Sequence, residues 1–172
     1  METALELDLE EDIALQEAEY AISEYELERG KPMPTRKHGT TQANLLALLI
    51  VRYKKQFRFI SELTIELGEK TAVPDISIYE HFTIEWEEDE PAVMVEPPLV
   101  AIEIISPSQT FVEMRDKARK YFAQGVKSCW IVQPELKIIS ILHPNEPTKT
   151  FTQGMVSDSA VDIEIPIEEV FE

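Results

Sequence analysis

The stretch Pro97–Pro134 reads PPLVAIEIISPSQTFVEMRDKARKYFAQGVKSCWIVQP, and its reading decides the fold. Leu99–Ile105 is apolar except for Glu103 and shows no alternation of polarity, as expected of a central strand covered on both faces. Ser106-Pro107-Ser108 ends it as a turn. Thr110 with Glu113 three residues later predicts a capping box. Phe111, Met114, Ala118, Tyr121 and Phe122 then form an apolar helical stripe, and Gly125 sits where a helix stops. Cys129–Val132 reads as a second buried strand, so the helix between the two strands predicts a right-handed β-α-β unit. Glu103 shares a face with Ala101 and Ile105. An ionised carboxylate in so apolar a strand is costly unless it is paired or binds a metal. The rest of the chain has to supply its partners.

The 172 residues suit one domain with a proper core. The longest apolar run, Leu45–Val51, is too short to span a membrane. The first residues are acidic rather than basic and no cleavage site follows an apolar segment, so no secretory signal is expected. The single cysteine, Cys129, excludes an intramolecular disulfide and a multi-cysteine zinc site, and a reducing cytoplasm is the plain expectation. A net charge of −17 works against simple nucleic-acid affinity. The charge is uneven, because residues 1–30 hold 11 acids and one base, Arg29, against 22 acids and 15 bases in the remainder.

Residues 1–19 are expected to form an acidic arm or amphipathic helix, which could dock on a protein partner, ahead of a single domain over 20–172. Tyr25–Lys31 suggests a small hairpin broken by Gly30. Arg36–Val51 turns helical, with Leu45, Leu46, Leu49 and Ile50 as the core stripe. His38 and Gln42 continue the line of Leu45 and Leu49 backwards by helical steps, so both are expected to face the same sheet. Phe57–Leu67 alternates as a half-exposed strand or hairpin, and Gly68-Glu69-Lys70 is a turn. In Val73–Tyr79 the alternation puts Asp75, Ser77 and Tyr79 on one face. Glu85–Glu90 is a solvated acidic loop without calcium-loop spacing. Ile138–Leu142 is a later strand, and Met155–Phe171 gives a closing strand and a terminal turn. The class is α/β, a mixed central sheet flanked by helices with an N-terminal helical or hairpin extension.

Two carboxylates on neighbouring strands with a helix lysine make a chemical set. Hard divalent cations take oxygen ligands, so Asp75, Glu103 and the Ile104 carbonyl are candidate ligands for Mg²⁺, with Mn²⁺ as a substitute. Such an ion acidifies a bound water and offsets charge on a phosphate. Lys117 would orient or deprotonate the attacking water, or stabilise the transition state. The bland alternative is a structural Glu103–Lys117 ion pair, with Asp75 merely following Pro74 at a strand entrance. Cys129 reads as core.

The ordered set Val73-Pro74-Asp75-Ile76-Ser77-Ile78-Tyr79, Pro98–Ser108, Lys117-x-x-x-Tyr121-x-x-x-Gly125-Val126 and Trp130-Ile131-Val132 resembles the Uma2-type family of putative restriction endonucleases. That family lies within the PD-(D/E)XK nuclease superfamily. The resemblance runs from about residue 20 onward and includes Tyr25-Glu26-Leu27, Gly30 and His38. It implies a restriction-endonuclease-like core and metal-dependent cleavage of DNA phosphodiesters, with Asp75 and Glu103 as metal-binding acids. The usual superfamily lysine lies two residues after the second acid; here Ile105 occupies that place and Lys117 takes over its role. Glu26, His38 and Tyr121 match further recurrent positions. Gln133 stands where family members often carry Asp, away from the metal ligands.

Three readings follow. The first is an endonuclease acting on DNA, expected as a homodimer because double-strand cleavage commonly uses paired sites. The second is a catalytically inactive nuclease-fold protein serving as a protein-interaction module. The third is a small domain whose acid–lysine cluster is only a buried network.

Overall fold

A computed structural model describes Glu26, Leu27 and residues 30–172. The chain divides at Met33/Pro34, and Pro34–Glu172 is treated by itself. The expected arm over 1–19 and the boundary after it lie outside the described residues. In the first unit Glu26 and Leu27 are helical, and the Gly30 N–H donates to the Glu26 carbonyl at 2.8 Å. This is a helical turn closed by a glycine at φ +63°, not the expected hairpin.

From Pro34 the elements run α1 (Arg36–Tyr53), β1 (Phe57–Ser61), β2 (Ile65–Leu67), β3 (Lys70–Ala72), β4 (Ile76–Glu80) and β5 (Val100–Ile104). Then come α2 (Phe111–Ala123), β6 (Ser128–Gln133), β7 (Ile138–Leu142), β8 (Lys149–Phe151), β9 (Met155–Asp158), β10 (Ile163–Pro166) and α3 (Ile167–Val170). Six strands make a mixed sheet in the order β1-β4-β5-β6-β7-β8. Only β5 and β6 pair in parallel within it, and α2 is their crossover. The β2–β3 and β9–β10 hairpins stand apart from the sheet. The carboxyl end of the chain is therefore a hairpin plus a short helix rather than the single closing strand expected.

Alternation along β5 divides the core. Val100, Ile102 and Ile104 join Leu45 and Leu49 of α1 in one cluster with Trp130, Ile163 and Ile165. Ala101 joins Met114, Ala118 and Tyr121 of α2 in the other, with Cys129 and Ile131. Successive strand residues point to opposite faces, so each helix covers one side of the sheet. The stripe of α1 uses Leu45 and Leu49 with Leu46 and Leu48 packed against the cluster. Ile50 is 38% exposed, contrary to expectation. The 3.6-residue turn carries it past the edge of the stripe, and Leu48 takes the inward place.

Both ends of α2 are set locally. The Thr110 hydroxyl accepts from Glu113 N–H while the Glu113 carboxylate accepts from Thr110 N–H at 2.7 Å, the reciprocal capping box. That bond holds the exposed Glu113 carboxyl below its usual value. Gly125, at φ +98°, ends the helix in the left-handed region that glycine enters most easily. The buried face of Met114, Ala118 and Tyr121 sets the rotation of α2 against the sheet.

A buried polar tie closes the far end of the sheet, and nothing in the sequence pattern announced it. Trp130 Nε1 donates to Asp158 Oδ2 at 2.6 Å, and His143 Nε2 lies 2.8 Å from Asp158 Oδ1. The Ala160 N–H donates to the same oxygen at 2.9 Å. Asp158 thus joins β6, β7 and β9 across 15 and 28 residues of chain. Removing its carboxylate strands buried donors. Asp158→Ala is expected to lower unfolding free energy by about 3 kcal/mol in urea titrations followed by tryptophan fluorescence. The exposed Glu146→Ala should cost less than about 1 kcal/mol.

Candidate active site

Asp75 and Glu103 come together because of strand register. β4 and β5 run antiparallel with Ile76 opposite Ile102, and one further step sets Asp75 beside Glu103. Asp75 N–H donates to the Ile102 carbonyl at 3.0 Å, and its Oδ2 accepts from the Ile104 N–H at 2.6 Å. The carboxylate therefore reaches across onto the backbone of β5 just after Glu103. Both residues are almost wholly covered, Asp75 at 1% exposure and Glu103 at 2%.

The partners of Glu103 both come from α2. Lys117 Nζ lies 2.8 Å from Glu103 Oε1, and the Tyr121 hydroxyl donates to that same oxygen. Residues 117 and 121 are one helical turn apart, so both reach the same spot on the sheet. The Lys117 ammonium also stands 5.8 Å from the centre of the Tyr121 ring, a favourable cation–ring arrangement. The Lys117 side chain keeps 23% exposure and so connects the buried carboxylate to solvent. Burial, then the charge and hydrogen bond of Glu103, push the Tyr121 phenol well above its ordinary value. Burial and the same carboxylate push the Cys129 thiol up, which leaves it a core side chain rather than a nucleophile.

The N-terminal half of α1 approaches from the other side. His38 Nε2 is 3.5 Å from Asp75 Oδ1, and Gln42 Nε2 donates to the Asp75 carbonyl at 3.0 Å. Both positions follow from the helical line through Leu45 and Leu49. The Glu62 N–H also donates to the Asp75 carbonyl, at 3.2 Å, while Glu62 Oε1 accepts from Gln42 at 3.3 Å. Glu62 holds φ +54°, a conformation non-glycine residues rarely adopt, where the chain leaves β1. Neither Gln42 nor Glu62 was a sequence candidate for the site, because both act on the backbone of a residue far along the chain. Glu26 lies in the first unit, where its Oε1 accepts from the Met33 N–H at 3.1 Å.

The donor set around Glu103 and Asp75 is oxygen-rich. Both Lys117 and Tyr121 engage Glu103 through its Oε1. Among the described residues no three His, Cys, Asp or Glu side chains are grouped to hold a metal. An ion here would rest on two carboxylates, the Ile104 carbonyl, water and substrate, a set that suits Mg²⁺ and not zinc.

A mixed sheet with one parallel pair, a crossover helix over it and paired acids at the strand ends defines an α/β fold of the nuclease kind. The chain matches the Uma2 family, described as a putative restriction endonuclease, over residues 5–168, and it belongs to that family. A solved structure described as "a putative nuclease belonging to DUF820" from Anabaena variabilis is similar at TM-score 0.71. Identity is 23% over 82% of this chain and 83% of that one. No curated protein matches. Among the described residues no helix is long and apolar enough to cross a membrane.

Because the Tyr121 phenol is held up, it should stay protonated at pH 10, the ordinary tyrosine value. Tyr121→Phe is expected to leave tyrosinate absorbance at that pH unchanged, and loss of a half-titrated tyrosine's signal would contradict it. Tyr121 supports the fold below its unfolded value near 10, and that support is lost as pH rises towards its raised folded value.

Proposed function

We propose that this protein is a metal-dependent endonuclease that hydrolyses DNA phosphodiester bonds at Asp75, Glu103 and Lys117. The observation that carries the reading is the pair of buried carboxylates on adjacent antiparallel strands, with Lys117 Nζ 2.8 Å from Glu103. Family membership and a nuclease-like fold both point to a nuclease.

Asp75, Glu103 and the Ile104 carbonyl would hold Mg²⁺, or Mn²⁺ in its place. Bound there, the ion would supply Lewis acidity towards the scissile phosphate and a more acidic water. Lys117, partly exposed beside Glu103, would orient the attacking water and offset charge on the phosphate as the bond to the leaving oxygen breaks. Tyr121 would hold the Glu103 carboxylate in one rotamer. Gln42 and Glu62 would hold the backbone of Asp75, and His38 would steady its Oδ1.

A second reading keeps the fold and drops the chemistry: a nuclease-fold interaction module without cleavage. Two observations favour it, the net charge of −17 and the exposed acidic loop around Trp86, which oppose DNA binding. Under this reading Glu103, Lys117 and Tyr121 are a self-satisfied network, and a cytoplasmic protein partner replaces DNA.

Nicking of supercoiled plasmid in Mg²⁺ or Mn²⁺ separates the two. The wild type is expected to cut, and Glu103→Gln, Asp75→Asn and Lys117→Met to lose about 10²–10⁴-fold in rate while keeping their circular dichroism. A folded wild type that cuts in neither metal would leave the interaction reading. Calorimetric titration with Mn²⁺ adds an arm that does not depend on activity, with binding expected in the wild type and absent in Asp75→Asn. A homodimer with paired sites is part of the nuclease reading, and a purely monomeric species in light scattering at micromolar concentration would count against it.

A further inference from the structure

Arg115 occupies a setting that the catalytic reading does not use. It lies on α2 two residues before Lys117, which turns it to the opposite border of the buried Met114–Ala118–Tyr121 stripe. There it lines a cleft of about 500 Å³ between α2 and the β7–β8 connection. Its Nε is buried with no hydrogen-bond partner among the described residues. A guanidinium donor withdrawn from water and left unpaired is costly, and a ligand with acceptor oxygens would remove that cost.

The rest of the lining has matching chemistry. Arg119, one turn on, brings a second guanidinium, whose Nη1 is 2.8 Å from the exposed Asp116. Asn145 and Thr148 add an amide and a hydroxyl from the facing turn. Glu146 is the acid of the lining, and its carboxylate is engaged on His143 Nδ1 at 3.2 Å, while His143 Nε2 meets Asp158. The turn carrying these groups is thereby anchored to the Asp158 tie rather than left loose. Two arginines one helical turn apart, opposite neutral donors, suit an oxyanion, and a tetrahedral phosphate has enough acceptor oxygens to meet both guanidinium forks at once.

We infer that the cleft between α2 and the β7–β8 turn binds a phosphate group through Arg115 and Arg119. The phosphate comes either from a nucleic-acid backbone or from a free phosphate. In a chain of net charge −17, such a site gives an anionic ligand a local point of attachment that the overall charge does not. It requires no metal and no catalytic carboxylate, so it stands or falls separately from cleavage.

The test uses the full chain in metal-free buffer. Arginine Nε–H resonances are followed by NMR while inorganic phosphate or a short DNA duplex is added, with sodium chloride at matched ionic strength as control. A saturable shift of the Arg115 signal is expected, with affinity reduced at least about tenfold in Arg115→Gln and in Arg119→Gln. A response to phosphate alone assigns a free-phosphate source, and a response confined to the duplex assigns the backbone. If neither probe moves the Arg115 signal beyond chloride, or if both variants keep wild-type affinity, the inference is overturned. Thermal melting of both variants confirms that lost affinity is not lost fold.

Discussion

A carboxylate in the middle of a central strand constrains everything around it. Glu103 is flanked by Ile102 and Ile104, paired with Ile131 of β6 on one edge and beside Asp75 on the other, so it is almost wholly withdrawn from water. Its charge has to be met from the covering helix. Lys117 and Tyr121 do this from consecutive turns of α2, one supplying charge and the other a hydroxyl donor. A hydrogen-bonded pair of this kind offsets the desolvation that an unpaired carboxylate would carry. It works only if α2 keeps one rotation about its axis. The buried Met114, Ala118 and Tyr121 face provides that, between the capping box at one end and Gly125 at the other.

The two faces of the sheet are built for different tasks. On the α2 side the packing is mixed, with small Ala101 and Ala118 letting the helix come close and Glu103 lying among them. On the α1 side the packing is aliphatic at its centre with aromatic side chains around it, and it extends to β9, β10 and α3. The end of α1 is tied to this layer through the Tyr53 hydroxyl, which donates to the Glu164 carbonyl at 3.0 Å and accepts from the Glu164 N–H at 2.8 Å. The dry stripe of α1 fixes its N-terminal half as a lever, and His38 and Gln42 reach Asp75 from it. Packing energy far from the site thus orients groups within it.

The same logic separates the two ends of the sheet. At one end Asp75 and Glu103 sit beside exposed lysine. At the other, Asp158 is closed in by Trp130, His143 and the Ala160 backbone, so its oxygens are committed to holding three strands. Both ends use buried acids. What differs is that the first arrangement includes a partly exposed cation, Lys117, while the second is enclosed by buried donors.

The local elements were legible from the sequence because their signals are local. The capping box, the glycine stop, the apolar strands about Glu103 and the helical line His38–Gln42–Leu45–Leu49 all depend on residues within a few turns of one another. So did the pairing of Lys117 with Glu103, since a short turn joins strand to helix. Ile50 lies outside the core by the small angle that separates a stripe from its border, and the terminal hairpin turns at Asp162, φ +54°, with no glycine to mark it in the sequence. Only the tertiary structure could decide which backbone Gln42 and Glu62 hold, that Asp158 gathers Trp130 and His143, and that the buried Arg115 Nε meets no acceptor among the described residues. Each of these is a contact between chain segments distant in sequence. A side chain's type says what it can bond to, and only the packing of sheet and helices says which atom arrives there.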